Sequence, residues 1–496
     1  MSQPAHRLSP ADELASRMRG PQRHRLLHGY PLAAALPEAA APAFEARHEV
    51  AFDRAGRGLI VGVLPHPFCN PAVTGCGFCT FPHQPGNTAK TADVANAVAA
   101  EIQQRAFGQM DELLFRPVTA LYFGGGTANL TESRAFLKLC LTLNAEFKLK
   151  DAEATLEGVP AYFLAGNPRL LDVMRDTLNA RQYRLSMGIQ TFDEARLKEM
   201  GRTAFGTPDT FRAVVELAHK LGFTASADLL FNLPGQTLDE MKDDVRRALD
   251  LGLDHIGLYH LVLFRGLGTP WADDDDMLTE LPGNERACDN WQALRELLVA
   301  RGFTQTSLTN FEQGRFRNRA ERYQYEECSF RPDEYEAIGF GPSAISYAAT
   351  KDFAFGLKTM NPAGADEYRA ATTSGNRVWN KAFVYRTLDQ KVLWLTRRLA
   401  ALEIDRTRYR ALFGTDVLAD FGAEVAAARD AGLLNVTEHV IRPTPRGMFY
   451  ADSVAAVLAS PAIRARRDLG PAVVGRDAPK ELLHDVAENA NSFAHM

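Results

Sequence analysis

Two patterns of apolar and polar positions alternate along the first half of the chain. Short apolar runs, typical of strands buried on both faces, recur near residues 58–65, 118–126, 152–157, 183–190, 224–233 and 254–263. Amphipathic stretches with helical periodicity lie between them, for example at 92–104, 132–147, 208–221 and 238–251. Six strand–helix repeats predict parallel βα units. We therefore expect an α/β fold with a partial (β/α)6 barrel, and a doubly wound sheet is the alternative. In both folds functional groups gather where the parallel strands end.

The pattern changes after about residue 390. Two helical stretches, near 391–405 and 420–434, precede an alternating run near 435–450 that contains a Pro turn and predicts a hairpin. This combination predicts a small helical module of winged-helix-like form. We divide the chain into an N-terminal arm (1–58), the barrel with its extensions (59–350), the C-terminal module (351–460) and a charged tail (461–496).

Composition narrows the possible functions. The 496 residues are 46% hydrophobic and 24% charged, which is typical of a globular protein with a large core. A net charge of −5 gives no basic surface for nucleic acid, so the winged-helix-like module is not expected to bind DNA. No apolar run reaches the roughly 18 residues of a membrane span, and the start lacks the apolar segment of a signal peptide. With only six cysteines, three of them clustered, we expect a cytoplasmic protein.

The clustered cysteines are Cys69, Cys76 and Cys79, just after the first predicted strand. Three thiolates can bind three irons of a [4Fe–4S] cube and leave the fourth iron open to a ligand that is not protein. A structural zinc site is one alternative, but zinc usually takes four protein ligands, so His66 or His83 would have to complete the set. A thioredoxin-like redox pair is another, although it would need no third cysteine.

Five stretches in order carry a family resemblance: PFCNPAVTGCGFCTF, LYFGGGTANL, RLSMGIQTFDEARLKEMGR, ADLLFNLPGQT and YEAIGFGPSAIS. Together they resemble the radical S-adenosylmethionine superfamily, in its oxygen-independent coproporphyrinogen III oxidase-like branch, over about residues 59–350. The class C radical methylases share this likeness. Three departures stand out: six residues separate Cys69 from Cys76 where the family usually has three, Ala128 replaces a proline, and Asn232 replaces a glycine.

The resemblance implies a [4Fe–4S] cluster on the three cysteines and S-adenosylmethionine on its open iron. An electron from a donor such as flavodoxin or ferredoxin would cleave the sulfonium to methionine and a 5′-deoxyadenosyl radical. Glycines after a buried strand would let backbone carbonyls approach the amino group, because glycine has no Cβ. The implied cofactor-binding residues are Gly124, Gly125, Gly126 and Thr127 in the glycine motif, Glu157, Gln190 and Asp228 for the amino and ribose groups, Arg202 for the carboxylate, and Phe78 near the adenine.

Three further residues are candidates for contact with a second cofactor or the substrate, namely His260, Tyr325 and Phe340. His260 is the candidate catalytic residue, because an unperturbed imidazole titrates near neutral pH and can carry a proton.

Three functions compete. The sequence favours transfer of a methyl or methylene carbon to an sp² carbon of a small molecule, by methylation or cyclopropanation, with two molecules of S-adenosylmethionine. The second is a tetrapyrrole enzyme that decarboxylates coproporphyrinogen III or opens the heme ring. The third is a heme chaperone without catalysis. The long Cys69–Cys76 gap and a heme-enzyme signature reduced to Tyr30–Pro31 are the reasons for preferring the first.

Overall fold

The computed structural model describes residues 8–23, 30–33, 36, 56–69, 76–108, 116–317, 319, 321–374 and 378–468. Most of the strands form one sheet in the order β12-β11-β10-β9-β1-β2-β3-β4-β5-β6-β8-β7, and β13, β15 and β14 form a second, small sheet. The strands are β1 Gly58–Val63, β2 Val118–Phe123, β3 Glu153–Gly158, β4 Gln182–Gln190, β5 Thr224–Phe231, β6 His255–His260, β7 Phe303–Gln305, β8 Asn310–Gln313, β9 Tyr335–Phe340, β10 Ile345–Ala349, β11 Gly356–Met360, β12 Lys381–Tyr385, β13 Ile404–Asp405, β14 Leu434–Val436 and β15 Val440–Pro443.

The six predicted parallel strands are β1 to β6, and each pairs in parallel with the next along the chain. Their side chains are almost continuously buried, which is why the apolar runs show no alternation. A doubly wound sheet would reverse direction at a switch point, whereas this order runs straight from β1 to β6. The α/β fold with a partial barrel is therefore confirmed.

Helices connect the strands and cover the outside of the sheet. The helix Pro208–Leu221 shows how local sequence sets the bounds. Thr207 and Thr210 form a capping box at its start, and Gly222, with φ of +80°, ends it in the left-handed conformation. The α-helices are Pro10–Arg19, Thr88–Gly108, Ser133–Glu146, Pro160–Phe163, Leu170–Thr177, Glu194–Glu199, Pro208–Leu221, Leu238–Asp250, Asp275–Thr279, Asn284–Ala300, Tyr325–Ser329, Ala365–Thr373, Thr387–Ala400, Arg406–Phe413, Val417–Asp430, Pro445–Phe449 and Ala451–Asp468.

The sheet continues beyond the barrel on the β1 side. β9 pairs with β1 in parallel, and β10, β11 and β12 then add in antiparallel order. The predicted division at residue 350 falls between β10 and β11, two strands that pair along their whole length. The chain therefore reaches residue 385 before it leaves this sheet, and the extension forms a wall beside the barrel interior.

The C-terminal region is largely helical, as expected. The hairpin predicted near 435–450 is present as β14 and β15, which pair with β13 in the small antiparallel sheet. The long helix Ala451–Asp468 follows, and it packs on Thr387–Ala400. Much of the predicted arm and tail, including 469–496, lies outside the described residues. In the parts of the chain that are described, no helix is long and apolar enough to span a membrane.

Candidate active site

One cavity of about 500 Å³ opens at the carboxyl ends of the parallel strands and extends into the barrel interior. Its position follows from topology, because parallel strands end together at one edge of the sheet. Nearly all of the residues predicted for the site share this cavity. They are Cys69, Cys76, Phe78, Cys79, Gly124, Gly125, Gly126, Thr127, Glu157, Gln190, Arg202, Asp228, His260 and Tyr325.

The three cysteines lie on one loop at the mouth of the cavity. The Cys69 backbone N–H donates to the Gln84 carbonyl at 3.1 Å, and that of Cys79 donates to the Cys76 carbonyl at 3.0 Å. Burial, with Cys76 beside it, raises the pKa of the Cys79 thiol to about 11. Burial disfavours the Cys79 thiolate, and binding to a metal would offset that cost. Residues 70–75, which make up the long gap, lie outside the described residues.

A zinc site would need a fourth ligand beside the three cysteines. Within the described residues, no three His, Cys, Asp or Glu side chains converge on a position for one metal ion. His83 is instead hydrogen-bonded through Nδ1 to the Phe81 carbonyl at 2.7 Å. An iron–sulfur cube has a different requirement, because each thiolate binds its own iron and the three sulfurs need not meet at one point. Three cysteines beside a cavity, without a fourth protein ligand, fit the cluster.

The glycine motif after β2 packs directly on the cysteine loop. Gly125 and Gly126 have φ of +80° and +46°, which L side chains rarely adopt. A Cβ on Gly126 would lie 2.8 Å from the Phe68 carbonyl oxygen and 3.0 Å from that of His66. The Thr127 N–H donates to the same Phe68 oxygen at 3.0 Å. These glycines therefore hold the loop of Cys69 against the strand end, in addition to lining the cavity.

Arg202 is fixed beside the cysteines. Its Nη1 lies 3.1 Å from Sγ of Cys76, and its Nη2 donates to the Gly188 carbonyl at 2.7 Å. The guanidinium lies 4.3 Å from the centre of the Phe205 ring. A planar cation held at the edge of a cluster site can bind a carboxylate there.

The strand-end polar residues come together as expected. Gln190 has φ of +73° at an irregularity in the pairing of β4 with β5, and its side chain lines the cavity near Arg202. Glu157, at the end of β3, accepts a hydrogen bond from Tyr122 Oη at 3.1 Å. Asp228 lines the same space from β5. The site therefore presents two carboxylates and an amide to a cavity ligand.

Phe340 is not part of the cavity. Its side chain is fully buried, packs edge-on to Phe147 and lies under the Arg105 guanidinium. In β9, Gly339 lines the cavity instead, because neighbouring residues in a strand point to opposite faces. Phe340 therefore does not face the cavity, contrary to the prediction that it contacts a cofactor there.

His260 lines the cavity but is not poised to titrate near neutral pH. Its Nδ1 donates to the Gln22 carbonyl at 2.6 Å, and the ring stacks on Phe231 at 5.2 Å. Burial lowers the pKa of His260 to about 4, against a smaller opposite effect of the hydrogen bond to Gln22. The imidazole is therefore neutral at pH 7, so His260 lacks the near-neutral titration on which its candidacy as a proton carrier was based.

The His260 environment predicts a pH effect on stability. The unfolded chain binds a proton at His260 near pH 6.5 and the folded chain only near pH 4, so folding loses stability as the pH falls through that interval. By pH 5 the loss is about 2 kcal/mol. We expect His260→Asn to lose less stability than the wild type between pH 7.5 and pH 5, as measured by urea unfolding of both proteins. Equal losses in the two proteins would contradict the low pKa.

The lower part of the cavity was missed by sequence reasoning. It is lined by Tyr347 of β10, Lys358 of β11, Tyr385 of β12 and Arg397 of the helix Thr387–Ala400. All four lie beyond residue 340, in or after the sheet extension. The only signal in the sequence was the recurrence of Tyr and Lys inside short apolar runs, which is common in strands that face solvent.

Comparison with known proteins agrees with the fold and the cysteine loop. The family model for the Radical SAM superfamily matches residues 63–248. The chain is 27% identical over 316 residues to the heme chaperone HemW of Lactococcus lactis, which covers 63% of this chain and 74% of that protein. It is 33% identical over 198 residues to the anaerobilin synthase of Escherichia coli O157:H7, covering 39% of this chain and 41% of the synthase. That second match thus spans less than half of the relative.

Among solved structures, the coproporphyrinogen III oxidase HemN of Escherichia coli has a TM-score of 0.69 at 21% identity, over 87% of this chain and 96% of that one. At this identity, the likeness concerns the fold. The family implies a [4Fe–4S] cluster and S-adenosylmethionine, which the three cysteines and the cavity suit. The chain carries a Radical SAM superfamily domain, with homologues in the coproporphyrinogen III oxidase-like branch.

Proposed function

We propose that this protein is a radical S-adenosylmethionine enzyme that acts on a tetrapyrrole. The proposal rests on one continuous cavity, which extends from the three cysteines to a lower chamber. Tyr347, Tyr385, Lys358 and Arg397 line that chamber. Its volume of about 500 Å³ lies within the range of sites for cofactor-sized ligands. The names of the relatives, a heme chaperone, an anaerobilin synthase and a coproporphyrinogen III oxidase, point to the same class of ligand.

The upper part of the cavity would hold the cofactors. Cys69, Cys76 and Cys79 would bind the cluster, and Arg202 would hold the carboxylate of S-adenosylmethionine beside it. Gly124 to Thr127, Glu157, Gln190 and Asp228 would contact its amino and ribose groups, and Phe78, which packs near Trp271, its adenine. When bound, cluster and S-adenosylmethionine supply a 5′-deoxyadenosyl radical, for which reduction by a flavodoxin- or ferredoxin-like donor would be needed.

Two stacked tyrosines would separate the cofactors from the substrate chamber. The rings of Tyr122 and Tyr325 lie 4.8 Å apart, and Tyr122 is held by its hydrogen bond to Glu157. Tyr325 sits over β1, where a Cβ on Gly62 would come within 2.8 Å of its hydroxyl. This pair would position the substrate and keep water from the reacting atoms.

Tyr30 and Pro31 of the N-terminal arm would close the chamber from the far side. The carbonyl oxygens of Tyr30 and Pro31 accept hydrogen bonds from Tyr385 at 2.9 Å and Lys358 at 2.8 Å, and Tyr30 Oη donates to Asp389 at 2.8 Å. The remnant of the heme-enzyme signature thus contacts the chamber wall. A short signature is therefore a weaker argument for methyl transfer than the sequence suggested.

Anaerobic turnover tests the proposal. The chain is reconstituted with iron and sulfide, reduced with dithionite, and supplied with S-adenosylmethionine and either coproporphyrinogen III or heme, and products are followed by mass spectrometry. We expect 5′-deoxyadenosine together with a changed tetrapyrrole mass. The absence of 5′-deoxyadenosine from reconstituted protein would refute the proposal.

Two other outcomes would point to the competing functions. Heme that binds tightly and is recovered unchanged would favour the chaperone, which the 27% identity to HemW supports as second candidate. S-adenosylhomocysteine in amounts matching 5′-deoxyadenosine would favour methyl transfer with two molecules of S-adenosylmethionine. HemW, the anaerobilin synthase and HemN are not named as methyltransferases, so they do not support that function.

A further inference from the structure

A row of directly paired residues crosses four strands at the lower end of the cavity. Ile60 of β1 pairs with Ala337 of β9, Ala337 with Tyr347 of β10, and Tyr347 with Lys358 of β11. Directly paired residues point to the same face of a sheet, and all four of these line the cavity. The register therefore aims Lys358 into the chamber, although its side chain is only 2% exposed.

A second cation faces the same space. Arg397 lies in the last turn of the helix Thr387–Ala400, one turn after Leu393, and both line the cavity. Its Nε is enclosed without a hydrogen-bond partner. Across the described part of the chain, no hydrogen bond or ion pair of the Arg397 guanidinium is found either. Guanidinium groups enclosed by protein are normally paired, so Arg397 is suited to bind an anionic group of a cavity ligand.

The neighbours of Arg397 do not provide that anion. Tyr347 donates its hydroxyl hydrogen to Gln390 Oε1 at 2.8 Å, and Tyr385 donates to the Tyr30 carbonyl. Glu326 is the carboxylate whose charge reaches Arg397, but its oxygens accept hydrogen bonds from Ser307 and Asn310. Burial lowers the pKa of Arg397 to about 10, and burial together with the Arg397 charge lowers that of Lys358 to about 7. Arg397 therefore keeps its charge at neutral pH.

A charged arginine and a lysine that a carboxylate would help to protonate, among phenol rings and aliphatic side chains, suit a ligand with an apolar aromatic body and a carboxylate at its edge. A guanidinium binds a carboxylate through two parallel hydrogen bonds, and a nearby ammonium adds a third donor. We propose that Arg397 and Lys358 form a carboxylate anchor that binds a propionate side chain of the tetrapyrrole and so sets which edge of the ring faces the cofactors. This inference rests on the proposed function.

Paired ligands test the anchor directly. Mesoporphyrin IX and its dimethyl ester share one ring and differ in the two propionate charges, so their affinities for the full-length protein are compared in the same detergent. We expect the wild type to bind the diacid at least about tenfold more tightly than the diester, because the ester cannot form the charge-assisted hydrogen bonds between the propionate and Arg397. Arg397→Gln should weaken diacid binding by about the same factor and leave diester binding unchanged.

Matched variants separate recognition from folding. Arg398→Gln changes the adjacent arginine of the same helix, which does not line the cavity, and should leave both affinities unchanged. Lys358→Met keeps the shape of the chain without its charge and should also weaken diacid binding. Because the Arg397 guanidinium has no hydrogen-bond partner among the described residues, Arg397→Gln should keep or raise the melting temperature of the ligand-free protein. A lowered melting temperature would show that Arg397 is a structural residue and overturn the anchor.

The outcomes also distinguish the anchor from the proposed function. Equal affinity for diacid and diester, or an Arg397→Gln variant that binds the diacid like wild type, would overturn the anchor and leave the proposed function standing. If the wild type binds neither porphyrin, both are overturned. Cleavage of S-adenosylmethionine without tetrapyrrole is measured in the wild type and in Arg398→Gln, which does not line the cavity, and should be the same in both because it reports on the upper site alone.

Discussion

Replacing Cys76 by alanine should abolish cluster assembly and leave no cleavage of S-adenosylmethionine. The cube would lose one of three iron ligands, and no other thiol of the described residues lines the cavity beyond Cys69 and Cys79. The change would also remove the sulfur 3.1 Å from Arg202 Nη1. The measurements are the iron and sulfide content after anaerobic reconstitution and the yield of 5′-deoxyadenosine with dithionite.

Cys288→Ala is the matched control. Cys288 is buried in the helix Asn284–Ala300, away from the cavity, where its sulfur accepts a hydrogen bond from Gln292 at 3.3 Å. The control variant should therefore assemble the cluster and cleave S-adenosylmethionine as the wild type does. A Cys76→Ala protein that retains both iron and cleavage would refute the ligand assignment.

The second large effect is expected at Gly126. A methyl group there would meet the carbonyl oxygens of Phe68 and His66 at 2.8 and 3.0 Å, and backbone atoms cannot move aside without moving the cysteine loop. We expect Gly126→Ala to lower the rate of S-adenosylmethionine cleavage by at least about tenfold, because displacements near 1 Å at a reacting centre can cost as much as 10²-fold. Single-turnover cleavage at saturating S-adenosylmethionine measures this effect.

Gly222→Ala is the control that separates the effect of the steric clash at Gly126 from the effect of backbone strain alone. Gly222 also has a positive φ, +80°, but a Cβ there would have no neighbouring atom within 4 Å. This control should lose about 1 to 2 kcal/mol of stability through strain alone. Its cleavage rate should be that of the wild type. If the two variants cleave S-adenosylmethionine equally fast, Gly126 has no special role in placing the loop.

The barrel could be predicted from the sequence. Parallel strands buried on both faces leave continuous apolar runs, and β1 to β6 lie within about two or three residues of where those runs predicted them. The helix Pro208–Leu221 matches its prediction at both ends, since its capping threonines and terminal glycine are local signals. Long-range pairing has no such signal, and β9 to β12 were missed as part of the same sheet for that reason.

The substitution of Asn232 for the family glycine illustrates a departure that the structure explains. Asn232 has φ of +61°, a left-handed conformation that asparagine tolerates better than other side chains. Its amide is fully buried, and Oδ1 accepts a hydrogen bond from Asn290 Nδ2 at 2.7 Å. The backbone turn is therefore kept without glycine, and the side chain ties the end of β5 to the helix Asn284–Ala300.

The sequence by itself determined the barrel and the cysteine loop, because apolar runs and cysteine spacing are local features of the chain, while the strand-end residues were implied by the family resemblance. Three features depended on tertiary structure and could not be predicted from the spacing of residues in the sequence. The pleat of β9 turns Gly339 rather than Phe340 toward the cavity, and burial keeps His260 neutral. The pairing of β10 with β11 places Lys358 in the chamber, and the helix Thr387–Ala400 places Arg397 there. These two residues are distant in the chain, so they come together only when the helix packs on the sheet.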